Sequence, residues 1–342
     1  MNAMQLTGIM DLSVNDVPLQ KVEMEIPLPG QEEILLRVTA CGVCHTELDE
    51  IEGRTPPPSF PVVPGHEVVG IVESRGEKAD QFSVGDRVGV AWIFSACGKC
   101  DYCRSGRENL CPSFLATGRD VDGGYAEFMK VHQDFAYAIP SSMSDLEAAP
   151  LLCAGAVGYR SLRLTGIRNG QLLGLTGFGA SGHLVLKLVR QQYPGTEIFV
   201  FARNAAERDL AGKLGAVWTG DTTDIAPRKL DAIIDTTPVW KPVVEALQNL
   251  KPGGRLVINA IRKEHFDREY LMKIDYSNHL WLEKEIKSVA NVTRQDVSEF
   301  LRLAEIMKLQ PLVQQYDLLE ANKALLELKR GEIEGAKVLK IY

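Results

Sequence analysis

The sequence lacks long apolar runs, basic runs and an N-terminal leader pattern. Nowhere do about 18 apolar residues follow one another, and the first ten residues show no charged segment before an apolar core. We therefore expect no membrane span and no secretory signal peptide. Since 38 Lys and Arg stand against 45 Asp and Glu, the net charge is −7, which gives no general attraction to polyanions. The expected location is the cytoplasm, with neither nucleic acid nor membrane as a partner.

Aromatic residues are few, at 7%, whereas hydrophobic residues reach 45% and charged residues 24%. These fractions are ordinary for folded globular proteins and unlike those of disordered or collagen-like chains. A chain of 342 residues is too long for one ordinary core, so two domains are expected. The seven cysteines all precede residue 154. An odd, clustered set favours thiols that serve metals or catalysis over a disulfide framework.

The hydrophobic pattern changes along the chain. Up to about residue 144, short apolar stretches are separated by Pro and Gly, which predicts a strand-rich region. From Leu151 onward, apolar strands alternate with amphipathic helices, as in a parallel α/β sheet. We expect Pro252-Gly253-Gly254 to be a turn that ends one helix and starts the next strand. The predicted strands of this second region are Gln171–Thr176, Glu197–Phe201, Leu230–Asp235, Arg255–Asn259 and Ile286–Asn291, and its first predicted helix is Ser181–Gln192.

Four cysteines form the pattern C-x2-C-x2-C-x7-C. Four thiolates can close a tetrahedral Zn²⁺ shell, and the short spacers with glycine permit the tight turns this requires. An iron–sulfur cluster is the alternative, because cysteine runs with two-residue spacers also bind such clusters. A closed thiolate shell leaves no position for a substrate, so this site should be structural. The residues are Cys97, Cys100, Cys103 and Cys111.

A glycine-rich turn follows the first predicted strand of the second region and opens its first helix. The G-x-G-x-x-G spacing permits a tight turn, close approach of the backbone to a pyrophosphate and close helix–strand packing. In this strand–turn–helix context the pattern predicts a dinucleotide site. The carboxyl edge of the sheet, where Thr236 lies, should border the same ligand. The turn comprises Gly177, Phe178, Gly179, Ala180, Ser181 and Gly182.

The end of the next strand indicates which nicotinamide cofactor is preferred. An Asp or Glu about 20 residues past the turn would bind the ribose 2′-OH of NAD, but Arg203 and Asn204 stand there instead. A guanidinium can bind a 2′-phosphate through two hydrogen bonds, so we expect NADP(H) to be preferred over NAD(H). Alternatively, Arg203 stacks on adenine or stays solvated, and NAD is still accepted.

A second set of possible metal ligands lies outside the four-cysteine cluster. Two thiolates and an imidazole, from Cys44, Cys153 and His66, can hold Zn²⁺ and leave a fourth position open. Such a metal polarises an alcohol or carbonyl oxygen as a Lewis acid. By spacing alone this set is a weak signal. The residues around the ligands strengthen it: they read Gly42-Val43-Cys44-His45-Thr46-Glu47, Pro64-Gly65-His66-Glu67-Val68-Val69-Gly70 and Leu151-Leu152-Cys153-Ala154-Gly155.

Taken in order with the four-cysteine cluster, these motifs resemble the zinc-dependent alcohol dehydrogenases of the medium-chain dehydrogenase/reductase superfamily. The resemblance runs through nearly the whole chain. It implies an α/β protein with a discontinuous, β-rich GroES-like catalytic domain at residues 1–151 and 291–342. A Rossmann cofactor-binding domain, a doubly wound parallel sheet, would occupy residues 152–290. Homodimers or homotetramers joined through Rossmann edge strands are implied as well.

The resemblance also implies roles for the residues of the open metal site. Cys44, His66 and Cys153 would bind the catalytic zinc, with Glu67 just behind the metal. The hydroxyl of Thr46 would accept the proton of the alcohol and pass it along a relay, since a hydroxyl both donates and accepts. Where relatives often end this relay with a histidine, this sequence has Asp49.

Further residues are implied for the substrate and the cofactor. Trp92, Ile93 and Leu115, together with Thr46, would line the substrate pocket, whose apolar walls select alcohols mainly by size and shape. The cofactor pyrophosphate would be approached by His45 and Lys337. The nicotinamide would be bordered by Asn259, Ala260, Asn291 and Val292.

Three activities compete at this point. The first is reversible hydride transfer between a small primary or secondary alcohol, or the matching aldehyde or ketone, and the nicotinamide cofactor. The second is a related zinc reductase or dehydrogenase for aromatic aldehydes or polyols. The third, a non-enzymatic protein that binds NADP(H) or zinc, is disfavoured because Cys44, His66 and Cys153 are all present.

Overall fold

The computed structural model describes residues 1–332 and 335–342, and for Ala180 the backbone alone. The chain divides into two compact units. Unit 1 combines Met1–Ala156 with Val292–Tyr342, and unit 2 is Val157–Asn291. The first division falls inside a helix, Ala154–Thr165. We therefore keep residues 1–151 with 291–342 as one proposed domain and residues 152–290 as the other.

Seventeen strands are present in the described part of the chain. In chain order they are β1 Asn2–Leu6, β2 Leu19–Glu23, β3 Glu33–Val43, β4 Val68–Arg75, β5 Arg87–Val90, β6 Ile93–Ser95, β7 Leu115–Ala116, β8 Phe128–His132, β9 Ala136–Ala138, β10 Leu172–Thr176, β11 Glu197–Phe201, β12 Trp218–Gly220, β13 Leu230–Asp235, β14 Leu250–Ile258, β15 Glu285–Ser288, β16 Val313–Asp317 and β17 Ala336–Lys340.

The α-helices are α1 His45–Ile51, α2 Asp101–Arg104, α3 Asp145–Ala148, α4 Ala154–Thr165, α5 Ala180–Gln192, α6 Ala205–Lys213, α7 Lys241–Leu247, α8 Arg294–Ile306 and α9 Ala321–Lys329. Short 3₁₀ segments lie at Glu108–Leu110, Gln133–Phe135, Ala149–Leu152, Arg268–Lys273 and Leu318–Glu320, with a π-helical turn at Tyr276–Leu280. Within the described residues, no helix is both long and apolar enough to cross a membrane.

Unit 1 is built on a seven-stranded sheet in the order β16-β17-β3-β4-β5-β9, with β8 also paired to β3. The eleven-residue β3 is central, because antiparallel partners cover both of its edges. The C-terminal β17 pairs with its last part, Lys337 opposite Val43. This β-rich unit confirms the expected GroES-like architecture, and its β3 leads directly into Cys44.

Unit 2 is a six-stranded, wholly parallel sheet in the order β12-β11-β10-β13-β14-β15. All five residues of β10 are buried, as expected for a strand covered on both faces. The chain reverses direction across the sheet between β10 and β13, which is where ligands bind in open α/β sheets. The expected Rossmann-like sheet is confirmed.

One predicted turn is wrong. Pro252-Gly253-Gly254 lies inside β14, and the preceding helix α7 already ends at Leu247. The pairing with β13 jumps from Leu230 opposite Leu250 to Ala232 opposite Arg255, so the segment is an irregularity within the strand. Proline cannot donate to the ladder, and Gly253 adopts a φ of 67°, so the extra residues bulge and the strand continues.

Candidate active site

The first candidate ligand, Cys44, lies between β3 and α1. Its side chain accepts a hydrogen bond from Thr46 N at 3.4 Å and so caps the helix. Reciprocally, Glu47 Oε2 accepts from Cys44 N at 2.9 Å. This capping box fixes the backbone on which the thiol is carried.

Glu47 also contacts the second candidate ligand. Its Oε1 lies 2.7 Å from Nδ1 of His66, and the two side chains are 0% and 1% exposed. Pairing at Nδ1 leaves Nε2 as the coordinating nitrogen. That Nε2 is buried and has no hydrogen-bond partner in the described part of the chain. An imidazole nitrogen left unpaired in the interior fits a metal ligand.

Glu67 and Cys153 complete the group. The donor atoms of Cys44, His66, Glu67 and Cys153 all lie within 4.8 Å of one another. Burial raises the pKa of Glu67 to about 7. Gly42 makes room for this carboxylate, because a Cβ at residue 42 would overlap Glu67 Oε2. Two thiols and an imidazole in one cluster fit Zn²⁺ with one coordination position left for a substrate, and the Glu67 carboxyl lies next to them.

The four-cysteine cluster also converges on one point. The sulfurs of Cys97, Cys100, Cys103 and Cys111 lie within 4.8 Å of one another. Backbone hydrogen bonds from Lys99 and Cys100 lower the pKa of the Cys97 thiol to about 6, which favours the thiolate form that binds metal. The donor set therefore fits a closed structural zinc shell.

The predicted proton relay would start at Thr46, and Asp49 stands where relatives often end it with a histidine. Thr46 Oγ1 lies 3.3 Å from Cys44 Sγ, at the candidate metal centre. Asp49, however, is 6% exposed and accepts a 2.5 Å hydrogen bond from Arg54 Nε. The next candidate member of the relay is thus a carboxylate held by a guanidinium. His45 is exposed at the start of α1.

Two of the three apolar residues predicted for the pocket are buried. Trp92 and Ile93 are 9% and 3% exposed, whereas Leu115 is 40% exposed. The ring centroid of Trp92 lies 5.3 Å from that of Phe114, and the guanidinium of Arg119 lies 5.5 Å from the Trp92 ring. The sequence did not single out these two neighbours, because loop residues carry no periodic signal that pairs them with a strand end.

In unit 2, the glycine turn has the geometry that its spacing predicts. Gly177 has a φ of 78°, and a Cβ there would lie 2.9 Å from Thr236 Oγ1. Gly179 caps α5, whose first residues are Ala180, Ser181 and Gly182. A Cβ at Gly182 would lie 2.9 Å from Gly177 O, so the helix packs closely on the turn. The side chain of Ala180 lies outside the described part of the structure.

Arg203 and Asn204 follow β11 after one residue, Ala202. Asn204 caps α6 by accepting from Ala206 N at 2.9 Å, while Arg203 is exposed. Arg208 donates from Nη1 to Ala202 O at 2.6 Å and to Arg203 O at 3.0 Å. A second guanidinium therefore lies at this strand end. The sequence analysis did not single out Arg208, although its position one turn into the following helix could have indicated it.

The remaining predicted cofactor residues are divided between the units. Asn259 donates from its backbone to Asp235 O at 2.7 Å, at the carboxyl edge of the unit 2 sheet, and Ala260 follows it half-buried. Asn291 ends unit 2 with a φ of 56°, and Val292 begins the second part of unit 1.

Lys337 has an unexpected environment. It is 2% exposed, and its Nζ donates to Gln314 Oε1, Tyr316 OH and Glu327 Oε2 at 2.7 to 2.9 Å. All three ammonium protons are thus engaged within unit 1. The expected role at a cofactor pyrophosphate would require these bonds to break.

Comparison with known proteins agrees with the fold. Residues 30–141 match the family model "Alcohol dehydrogenase GroES-like domain". The chain is 44% identical over 329 residues to the Mycobacterium tuberculosis protein named "Probable alcohol dehydrogenase AdhA", covering 95% of this chain and 93% of that one.

Solved structures give the same result. A cinnamyl alcohol dehydrogenase from Sorghum bicolor superposes with a TM-score of 0.79 at 26% identity, covering 99% of this chain and 97% of that one. A Sinorhizobium meliloti protein described as a zinc-binding dehydrogenase, solved bound to NADP, gives 0.82 at 25% identity, with 99% and 98% covered.

Together with these relatives, the two-unit fold identifies an oxidoreductase. The chain belongs to the alcohol dehydrogenase family of the medium-chain dehydrogenase/reductase superfamily. The resemblance noted from the sequence motifs is thereby confirmed.

Proposed function

We propose that this protein is a zinc-dependent alcohol dehydrogenase that interconverts a small primary or secondary alcohol and its aldehyde or ketone, with NADP(H) as the preferred cofactor. The observation that carries the proposal is the convergence of Cys44 Sγ, Cys153 Sγ and the unpaired His66 Nε2 in one cluster. Two thiolates and one imidazole leave an open fourth position on zinc.

When bound, zinc would stabilise negative charge on the substrate oxygen, and the nicotinamide would exchange the hydride. The chain's own groups orient the donors and move the proton. Glu47 orients the His66 ring, and the Thr46 hydroxyl, 3.3 Å from Cys44 Sγ, accepts the proton of the alcohol. Because Asp49 is paired with Arg54, we propose that the proton leaves to solvent before it reaches this carboxylate.

The preference for NADP(H) is supported by the end of β11. Arg203 is exposed there, and Arg208 donates to the backbone carbonyls of Ala202 and Arg203. Residues 202–204 at the strand end contain Arg203 and no acidic residue, which favours a 2′-phosphate, while the guanidinium of Arg208 lies 3.5 Å from Asp221 Oδ2. The S. meliloti relative was solved with NADP. Measurement of kcat/KM with NADPH and NADH tests this, and a clear preference for NADH contradicts it.

Aromatic aldehydes form a second candidate substrate class. The tilted pair of Trp92 and Phe114, with ring centroids 5.3 Å apart, offers aromatic surface to a ring-bearing substrate. The S. bicolor relative is named for cinnamyl alcohol. A panel of aliphatic and aromatic aldehydes of matched size distinguishes the two classes through the ratio of their kcat/KM values.

We propose two zinc ions per chain, one catalytic and one structural, because two separate ligand clusters are present. Metal analysis together with a Cys44→Ser variant tests both sites. We expect two zinc ions in the wild type and loss of alcohol oxidation in the variant. Retained oxidation contradicts the zinc mechanism, and one zinc per chain in the wild type removes one of the sites.

We further propose a homodimer or homotetramer joined at the edge of the unit 2 sheet. The edge strand β15 is exposed at all four residues, and Ile286 there is 43% exposed. Close by in sequence, Met272, Trp281 and Leu282 are 88%, 54% and 52% exposed. Exposed edges and apolar patches are usually covered by a partner. Sedimentation equilibrium tests this, and a Lys287→Pro variant, which disrupts the edge strand, should favour smaller species.

The proposed location is the cytoplasm. All seven cysteines are free thiols in the structure, and six of them belong to the two ligand clusters. Thiolate ligands remain available in a reducing compartment, which supports this proposal. Fractionation of cells that express the tagged chain tests it.

A further inference from the structure

We propose that Lys263 is a positioning residue of the cofactor site, which it maintains through a buried ion pair with Asp235. This inference rests on the proposed nicotinamide cofactor. It concerns unit 2 and involves neither metal-ligand cluster.

The pair is deeply buried. Asp235, the last residue of β13, is 0% exposed, and the side chain of Lys263, in the segment after β14, is 7% exposed. Lys263 Nζ donates to Asp235 Oδ2, and its other hydrogen bonds go to Thr237 O at 2.7 Å and Val239 O at 3.2 Å. The ammonium thus joins the segment after β14 to the segment after β13.

Asp235 extends the connection to the nucleotide turn. Its Oδ1 accepts from Thr176 Oγ1 at 2.6 Å and from Thr237 Oγ1 at 2.8 Å. Thr176 ends β10 and directly precedes Gly177. One carboxylate therefore binds the ends of two neighbouring strands at the point where the sheet reverses its chain direction.

The connection also fixes the wall of the turn. A Cβ on Gly177 would lie 2.9 Å from Thr237 Cγ2, so the threonine methyl lies directly against the turn. The orientation of that methyl is set by the hydrogen bond from Thr237 Oγ1 to Asp235 Oδ1, and the carboxylate is neutralised by Lys263. Loss of the ammonium would remove the cation that neutralises this buried carboxylate, which must then draw in water or move. Either response displaces Thr237 and the turn together.

Replacement of Lys263 should therefore weaken cofactor binding. In Lys263→Met, we expect the dissociation constants of NADPH and NADH to rise about tenfold or more, because small displacements of positioning groups are costly. Lys263→Arg, which retains the cation, should recover part of the affinity. Zinc content should stay at the wild-type value, because both metal clusters lie in unit 1. Lys213→Met, which removes an exposed lysine from α6 in the same unit, is the matched control and should bind like the wild type.

Fluorescence titration with NADPH and NADH measures these constants, and urea unfolding monitors the fold. If Lys263→Met does not fold, the double variant Asp235→Asn with Lys263→Met removes the buried charge and should fold with weakened cofactor binding. The inference is contradicted if folded Lys263→Met binds both nucleotides with affinities within about twofold of the wild type. If only the double variant folds, the same result for the double variant contradicts it. Failure of the wild type to bind either nucleotide instead contradicts the proposed function on which the inference rests.

Discussion

Glu47 Oε1 lies 2.7 Å from His66 Nδ1, and both side chains are almost completely buried. The same carboxylate uses its other oxygen, Oε2, to accept from the backbone N of Cys44. One side chain therefore orients a candidate imidazole ligand and fixes the backbone of a candidate thiolate ligand. Partners of this kind set the tautomer and direction of the ligands they contact.

Glu47→Gln should lower the zinc affinity of the open site by about 10- to 100-fold, because the amide keeps the size of the side chain but loses the negative charge facing the imidazole. Competition with a chromophoric chelator measures the affinity. Glu73→Gln, which removes an exposed carboxylate from β4, is the control and should leave the affinity unchanged. Equal affinities in wild type and Glu47→Gln would show that the 2.7 Å contact does not support the metal.

Arg203→Asp should shift the cofactor preference toward NADH. A carboxylate at the end of β11 repels a 2′-phosphate and can accept a hydrogen bond from a 2′-OH. The ratio of kcat/KM for NADPH to that for NADH should fall by about tenfold or more, since one charged hydrogen bond is worth about 1.5–3 kcal/mol. Lys213→Asp makes the same change of charge at the other end of α6 and should leave the ratio unaltered. A ratio that falls equally in both variants indicates a general effect of charge.

Gly42→Ala should destabilise unit 1 by about 1–3 kcal/mol, the usual cost of overpacking, because the new methyl group would overlap the Glu67 carboxylate. Urea unfolding measures the change. Gly212→Ala is the matched control: no atom lies within 4 Å of the new Cβ, and alanine is the better helix former in α6. A stable Gly42→Ala protein with normal zinc content would mean that Glu67 can move away at little cost.

Cys103→Ser should reduce the zinc content from two ions to one and lower the melting temperature by roughly 5 °C or more, because the loop loses its metal crosslink. The remaining ion should be the one at the open site. Cys41→Ser provides the control, since the Cys41 thiol is buried and belongs to neither ligand cluster. It should retain both ions. Loss of both ions in Cys103→Ser would show that the two sites are not independent.

The buried group around Lys337 predicts a dependence of stability on pH. Hydrogen bonds from Lys337 and Tyr316, together with the charges of Lys337 and Lys323, lower the pKa of Glu327 below its ordinary value of 4.5. The carboxylate therefore stabilises the fold fully above pH 4.5, and this contribution is lost as the pH falls through the lowered pKa. Glu327→Gln should be less stable than the wild type at pH 7, and the difference should shrink below pH 4.5. Urea unfolding at a series of pH values measures it, and a difference that is constant with pH contradicts the assignment.

The sequence predicted the parallel sheet of unit 2 more closely than the strands of unit 1. Strands β11 and β13 have the predicted limits, because continuous apolar runs bounded by polar residues mark buried parallel strands well. Short strands such as β12 and β16 were not predicted. Neither contains the continuous apolar run that marks the similarly short β11, since β12 reads Trp-Thr-Gly and β16 reads Val-Gln-Gln-Tyr-Asp. The Pro252 turn failed because proline and glycine mark a bulge and a turn in the same way.

Motif spacing located the candidate ligands, but the groups that support them became evident only in three dimensions. The pairing of Glu47 with His66 joins residues 19 positions apart, and the pairing of Lys263 with Asp235 joins residues 28 positions apart. Neither sequence separation matches a helical or strand period, so no local pattern predicts these pairs. Lys337 shows the opposite case. Its position in the sequence suggested a role at the cofactor pyrophosphate, but all its donors are engaged by neighbouring side chains of unit 1.

The pairing of β17 with β3 has a consequence for how the chain is made. On the ribosome, unit 2 is contiguous in sequence, so it can fold as soon as its 135 residues have emerged. Strand β3, which leads into Cys44, obtains its neighbour β17 only when synthesis reaches Ala336–Lys340, after all of unit 2. While unit 2 is translated, the edge of β3 that later pairs with β17 therefore stays uncovered in the nascent N-terminal segment. A truncation that removes β17 should yield chains with a folded unit 2 and an aggregation-prone N-terminal segment.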